Sequence, residues 1–376
     1  SPDRQPDPVT SEATLLTLDN GEIVGYQNAF GVSVWQGIPF AQPPVGELRW
    51  KAPRPAAPWT GRKSALAAGP DCASQTRQTA ADNNDFNGVE DCLYLNVYAP
   101  EGAKNLPVMY WIHGGANNGG SSSNPVYDGS QLAAQFDVVV VSINYRLTLF
   151  GWLSHPALRA NPGVPEDASS NFGTLDQILG LQWVQRNIAK FGGDANKVTI
   201  FGESAGGWNV MALMASPLAK GLFHGAIVQS GGLDLEPVAK AENFLTDGGH
   251  HHSSREFINQ QLIAEGRSSD VIGAKTLQND MTDTALASYL RGKTTAEVLQ
   301  AFRSDTGGKV YRNLDLIGDG VTLPQAIASD SLFSNANNYN AVPVRCPNCN
   351  APAMPVLCSL RRIVGQVLVK VRKNSA

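Results

Sequence analysis

The stretch Gly202-Glu203-Ser204-Ala205-Gly206 sets a serine between two glycines at the spacing G-x-S-x-G. A serine hydroxyl attacks well only when a base takes its proton and its Oγ stands clear of the backbone. A sharp strand-to-helix turn meets the second condition, and the turn tolerates only small neighbours. Val198–Phe201 reads as the strand leading in. A helix is expected after the serine, with Val210, Leu213 and Met214 inward and Pro217 beyond its end. Ser204 is therefore the candidate nucleophile, and the chemistry it points to is acyl transfer.

Acyl transfer also needs donors aimed at the developing oxyanion, each typically contributing about 3 kcal/mol to lowering the barrier. The run WIHGGANNGG at 111–120 follows an apolar strand, Val108–Ile112, and its glycines present bare N–H groups. It matches the HGGG-type loop that partners such a serine in esterases and lipases. A further donor is the N–H of Ala205, directly after the nucleophile. His113 reads as an anchor of the loop and not as the base, because it precedes the serine in the chain.

These pieces need a frame. Val108–Ile112, Val138–Ile143, Val198–Phe201 and Ala226–Gln229 are short apolar runs of buried-strand type. Between two of them Leu175, Ile178, Leu179, Leu181, Val184, Ile188 and Phe191 recur at helical intervals, with Asn187 and Lys190 on the other face. Strand, helix, strand predicts an α/β protein with a parallel sheet covered by helices. GIPFAQPPVGELRWKAPRPAAPW, before residue 60, reads as a loop-rich segment pinned by aromatic packing. Residues 236–310 read as a mostly helical, more polar excursion, such as a cap.

The chain has 376 residues, 42% of them hydrophobic and 16% charged, with a net charge of −4. That balance lacks the basic patch nucleic acids require. No apolar run approaches a membrane span, for which 18 or so residues are needed.

The segment FGGDANKVTIFGESAG at 191–206 resembles the serine signature of the type-B carboxylesterase/lipase family, the cholinesterase-like branch of the α/β-hydrolases. EDCLYLNVYAP at 90–100 resembles that family's second signature, and GIPFAQPPVGELRW, NYRLTLFGWL and FHGAIVQSG follow its pattern in order. The resemblance covers roughly residues 12–344. It implies an α/β-hydrolase fold with a mostly parallel central sheet flanked by helices, in a domain spanning 1–344. It also implies a Ser-Glu-His carboxylic ester hydrolase working through an acyl-enzyme on a small-molecule ester, without cofactor or metal. Gly115, Ala116 and Ala205 would form the oxyanion hole. The resemblance further implies a disulfide between Cys72 and Cys92, hence a secreted or periplasmic protein. Two free thiols are the alternative. Arg49 with Glu90, and Arg146 with Asp176, resemble the family's buried ion pairs.

The match stops where the rest of the triad should stand. After Ser204 the histidines are His224, at a structural family position, and His250, His251 and His252 in the polar run GGHHHSS, read as a solvated cluster or an adventitious metal binder. Asp319, in LIGDGVTLP, resembles a family Asp-Gly loop and not the triad acid. No triad acid or histidine is found in the chain, whose fold would then lack the C-terminal third. Residues 345–376 hold six Lys/Arg, no acidic residue and three of the five cysteines. We expect this stretch to be a divergent tail, as after a frameshift or truncation; an encoding DNA without an esterase-like continuation in another frame would overturn that. Cys346 and Cys349 form one C-x-x-C without a second pair, too little for a zinc or redox site. Two alternatives to the active enzyme stand beside it: an inactive fragment, and a non-catalytic binding protein on the same fold. Oligomeric state is not indicated.

Overall fold

The structure, a computed structural model, describes residues 7–75, 86–301, 314–325 and 329–345. Its frame is an eight-stranded sheet. In chain order the strands are β1 (Tyr26–Gln27), β2 (Val32–Pro39), β3 (Tyr94–Pro100), β4 (Leu106–Ile112), β5 (Val139–Ile143), β6 (Gly193–Glu203), β7 (Gly225–Gln229) and β8 (Val344–Arg345). Their spatial order is β8-β7-β6-β4-β5-β3-β2-β1. The block from β8 to β5 is parallel throughout, and β3, β2 and β1 join it by antiparallel pairing. All four strands expected from apolar runs are present; β6 begins five residues earlier than expected.

Helices α1 (Ser130–Phe136), α2 (Phe172–Asn187) and α3 (Ala205–Ala215) make the crossovers of the parallel block. Both sheet faces are therefore covered, which is why the strands read as continuous apolar runs. Val139, Val141 and Ile143 enter the main core with Val108, Tyr110, Ile112, Val198 and Ile200. Val140 points the other way, into a smaller cluster with Val32, Val34, Tyr98 and Ala133 of α1. The helix after Ser204 forms as expected, with Val210, Leu213 and Met214 fully buried.

The periodicity misjudged one residue of α2. Asn187 was expected on the outer face, but it is fully buried, giving its Nδ2–H to Asp19 Oδ1 (2.9 Å) and accepting from the Asp19 N–H (3.1 Å). A long-range polar partner, invisible in the spacing, compensates its burial. Lys190 is exposed as expected.

Trp50 pins the proline-rich segment: it is fully buried, donates to the Leu149 carbonyl (2.7 Å) and stacks near Phe150. The segment after β7, up to residue 301, carries α4 (Val238–Glu242), α5 (Ser254–Ala264), α6 (Val271–Asp280), α7 (Asp283–Arg291) and α8 (Thr295–Gln300). Its remainder to 310 lies outside the described residues. So do residues 346–376, with Cys346, Cys349 and Cys358; only Arg345 of the expected tail is described. A disulfide joins Cys72 to Cys92 across 20 residues. Arg49 meets Glu90 through two nitrogens at 2.7 Å each, and Arg146 meets Asp176 at 2.7 and 2.9 Å with both side chains buried.

Candidate active site

Strands β4 and β6 are parallel neighbours in register Ile112 with Gly202, so their carboxyl ends finish side by side. Ligand sites in open α/β sheets form at such ends. His113 follows one strand and Ser204 follows the other, which brings two segments 91 residues apart in sequence (204 less 113) to one edge. Ser204 has φ 57° and ψ −122°, a conformation costly for a residue with a Cβ, by about 1–3 kcal/mol. The strain is held in place by its N–H bond to the Gln229 carbonyl (3.0 Å) and by the start of α3, where Trp208 N–H reaches the Ser204 carbonyl (3.1 Å). Ser204 itself is only half-buried.

The flanking glycines are demanded by contact. A Cβ on Gly206 would stand 2.1 Å from the Ile112 carbonyl oxygen, and one on Gly202 would stand 2.5 Å from the Gly206 backbone. Facing them, a Cβ on Gly114 would come within 3.3 Å of Ser204 Cβ. The glycine loop thus lies directly against the serine. In that loop Gly115 has φ 118°, and Ala116 and Asn117 both have φ 55°, left-handed values that non-glycine residues seldom adopt. Among the described residues, the backbone N–H groups of Gly115, Ala116 and Ala205 are engaged by no protein acceptor. Ala205 opens α3, so its N–H also sits at the positive end of that helix.

Two residues hold the loop. His113 is buried and stacked on Tyr145, with ring centroids 4.5 Å apart, and its Nδ1 donates to the Gly114 carbonyl (2.8 Å). Burial lowers its pKa from 6.5 to about 4, so the ring is neutral. The Tyr145 hydroxyl donates to the His113 carbonyl (2.6 Å). These contacts suit an anchor, as expected. Asn117 was not singled out from sequence. Its Nδ2 donates to Asp315 Oδ2 (2.8 Å), its Oδ1 accepts from Asn209 Nδ2 (2.9 Å), and its carbonyl accepts from Thr148 N–H (2.7 Å). Asn117, Asn209 and Asp315 are all buried. The signal was the asparagine pair inside a glycine loop, where φ > 0 is needed and asparagine tolerates it.

The other histidines lie elsewhere. His224 Nδ1 accepts from Val198 N–H (3.2 Å), midway along β6 and six residues before the serine, about 20 Å away at strand rise. His155 Nδ1 accepts from Ala157 N–H (3.1 Å). The run His250–His252 lies just before α5; His252 is buried, so the expected solvated cluster is exposed at His251 and only partly at His250. Folding of the turn against the excursion's helices, absent from local sequence, buries it. Asp319 accepts from the N–H groups of Val321, Thr322 and Leu323 and from Ser169, Ser170 and Asn171, which fits a structural part. Among the described residues no hydrogen bond joins a histidine ring to Ser204.

The Carboxylesterase family profile matches residues 12–344. Para-nitrobenzyl esterase of Bacillus subtilis is 48% identical over 219 residues, covering 58% of this chain and 43% of that protein. Fumonisin B1 esterase of Sphingopyxis macrogoltabida is 47% identical over 219 residues, covering 58% and 40%. Carboxylesterase 1D of Rattus norvegicus is 40% identical over 359 residues, covering 89% and 57%. A solved PNB esterase superposes with a TM-score of 0.69 at 34% identity, covering 89% of this chain and 63% of that one. The fold is therefore that of the α/β-hydrolase esterases. The chain spans about half the length of the curated relatives it matches.

Proposed function

The chain belongs to the carboxylesterase family, and from that premise we propose that it is a carboxylic ester hydrolase with Ser204 as nucleophile. In this reading Ser204 Oγ attacks the carbonyl carbon of a small ester, and the N–H groups of Gly115, Ala116 and Ala205 receive the tetrahedral oxyanion. Collapse releases the alcohol and leaves an acyl-serine, which water then cleaves to the acid. The observation that carries the reading is the strained serine packed against a loop in which the Gly115 and Ala116 N–H groups meet no acceptor among the described residues. Strain fixed in advance is what a preorganised anion site needs. We assign no described histidine as base. No cofactor enters the proposal.

The esters named in the relatives, a para-nitrobenzyl ester and fumonisin B1, support a small-molecule ester as substrate class. We also propose a secreted or periplasmic location, which the Cys72–Cys92 disulfide supports. The net charge of −4 supports the absence of a nucleic-acid partner.

The test is hydrolysis of p-nitrophenyl acetate by the full chain beside Ser204→Ala, with fluorophosphonate labelling read by mass. The expected result is hydrolysis and a label on Ser204, both lost in the variant. Equal rates in the two proteins would overturn the assignment. A second reading, a nucleophile with its anion donors but no base, is favoured because no described histidine ring is hydrogen-bonded to Ser204. It predicts a rate roughly 10⁴–10⁶-fold below that of a full triad enzyme.

A further inference from the structure

His250, His251 and His252 are consecutive, and in an extended chain successive side chains point to opposite sides. Here they converge. The turn before α5 is tied by His250 N–H to the Lys240 carbonyl (2.8 Å), by Ser253 N–H to the His250 carbonyl (2.9 Å) and by His252 N–H to His250 Nδ1 (3.0 Å). Ser253 then caps α5 through Glu256 N–H (3.3 Å). The three rings stand 4.0, 4.2 and 5.3 Å apart, centroid to centroid. One ring nitrogen from each lies within 4.8 Å of the other two.

We propose that these three histidines form a site for one divalent transition-metal ion of the zinc or copper class. Nitrogens sharing such an ion at 2.0–2.1 Å bonds sit about 3–4 Å apart, so small ring rotations close the set. An all-imidazole donor set selects zinc, copper or nickel over calcium and magnesium, which require oxygen. His252 forms a buried wall and His251 an exposed mouth, leaving the ion a path from solvent and an open position for water. Ligation by His250 exchanges its backbone bond for a metal bond. Either Nδ1 leaves the His252 N–H and turns to the ion, or the proton moves from Nε2 to Nδ1 and Nε2 binds. The ion would pin the corner between α4 and α5, and it is independent of Ser204.

The test is calorimetric titration of chelator-stripped full chain with zinc chloride, repeated with cobalt for its visible spectrum. Because Cys346, Cys349 and Cys358 could also hold zinc, the comparison is with His250→Ala/His251→Ala/His252→Ala and with the single exposed variant His251→Ala. We expect one ion per chain with a Kd on the order of micromolar or tighter. The triple variant should lose that ion, and His251→Ala should weaken it at least tenfold while keeping the native far-UV spectrum. Zinc should raise the Tm of the wild type and not of the triple variant. Thiolate charge-transfer bands with cobalt, unchanged binding in the triple variant, or an adventitious ion only (weak and of multiple stoichiometry) would each overturn the site.

Discussion

Asn117 Nδ2 lies 2.8 Å from Asp315 Oδ2, a buried hydrogen bond across 198 residues of chain. With Asn209 on the other side of the same amide, it fixes the glycine loop to helix α3 and to the segment returning from the excursion. Replacing Asn117 by leucine removes a partner from two buried polar groups at once. We expect a loss of about 1–3 kcal/mol in urea unfolding. A double-mutant cycle of Asn117→Ala with Asp315→Ala should give a coupling of at least about 0.5 kcal/mol; additive losses would show that the bond contributes nothing specific.

Gly206→Ala should be among the most damaging single changes in the chain, although it adds one methyl group. That methyl would meet the Ile112 carbonyl oxygen at 2.1 Å, and its next neighbours are also backbone atoms, of Ile112 and His113, with no flexible side chain to move. Soluble yield and near-UV circular dichroism should both collapse, whereas Gly221→Ala, which would meet nothing within 4 Å, should cost only its positive-φ strain. Comparable behaviour of the two variants would refute the close approach.

Opening the Cys72–Cys92 bridge by Cys92→Ser releases a 20-residue loop in the unfolded chain. On the chain-entropy account this costs about 3 kcal/mol. Urea midpoints of the oxidised protein, the reduced protein and the variant should fall in two classes, with the reduced protein joining the variant. A reduced protein as stable as the oxidised one would contradict this.

Acid should weaken the fold before the carboxylates titrate. Burial lowers His113 to about 4 and His155 to about 3, from an ordinary 6.5. Between those values and 6.5 the unfolded chain binds protons that the folded chain refuses, so unfolding takes up protons. The stability due to these neutral rings is whole above about pH 6.5 and is lost progressively as the pH falls toward 4 and 3. The urea midpoint should drop between about pH 7.5 and 5.5, and His113→Gln should flatten that drop. A midpoint constant over this range would count against burial of the two rings.

Local sequence sufficed for the strands, for the elbow and for the family, because each is written in contiguous residues. Val198–Phe201, the glycines around Ser204 and the apolar face of α3 state their own geometry through period and size. It did not suffice for Asn187, whose polarity suggested solvent and whose partner Asp19 lies 168 residues away. The same limit hid Asn117, Asn209 and Asp315, three ordinary polar residues until folding stacks them.

By itself, then, the sequence determined a serine in a strand-turn-helix, a glycine loop after a neighbouring strand and an α/β frame, because glycine tolerance and hydrophobic period are local properties. Only the tertiary structure decided that Ile112 and Gly202 are in register, that the loop therefore lies against Ser204, and that His224 is bonded to Val198, six residues from the serine. It also decided that three adjacent histidines face one another. Register, burial and convergence depend on which distant segments pack together, and no short stretch of chain encodes that.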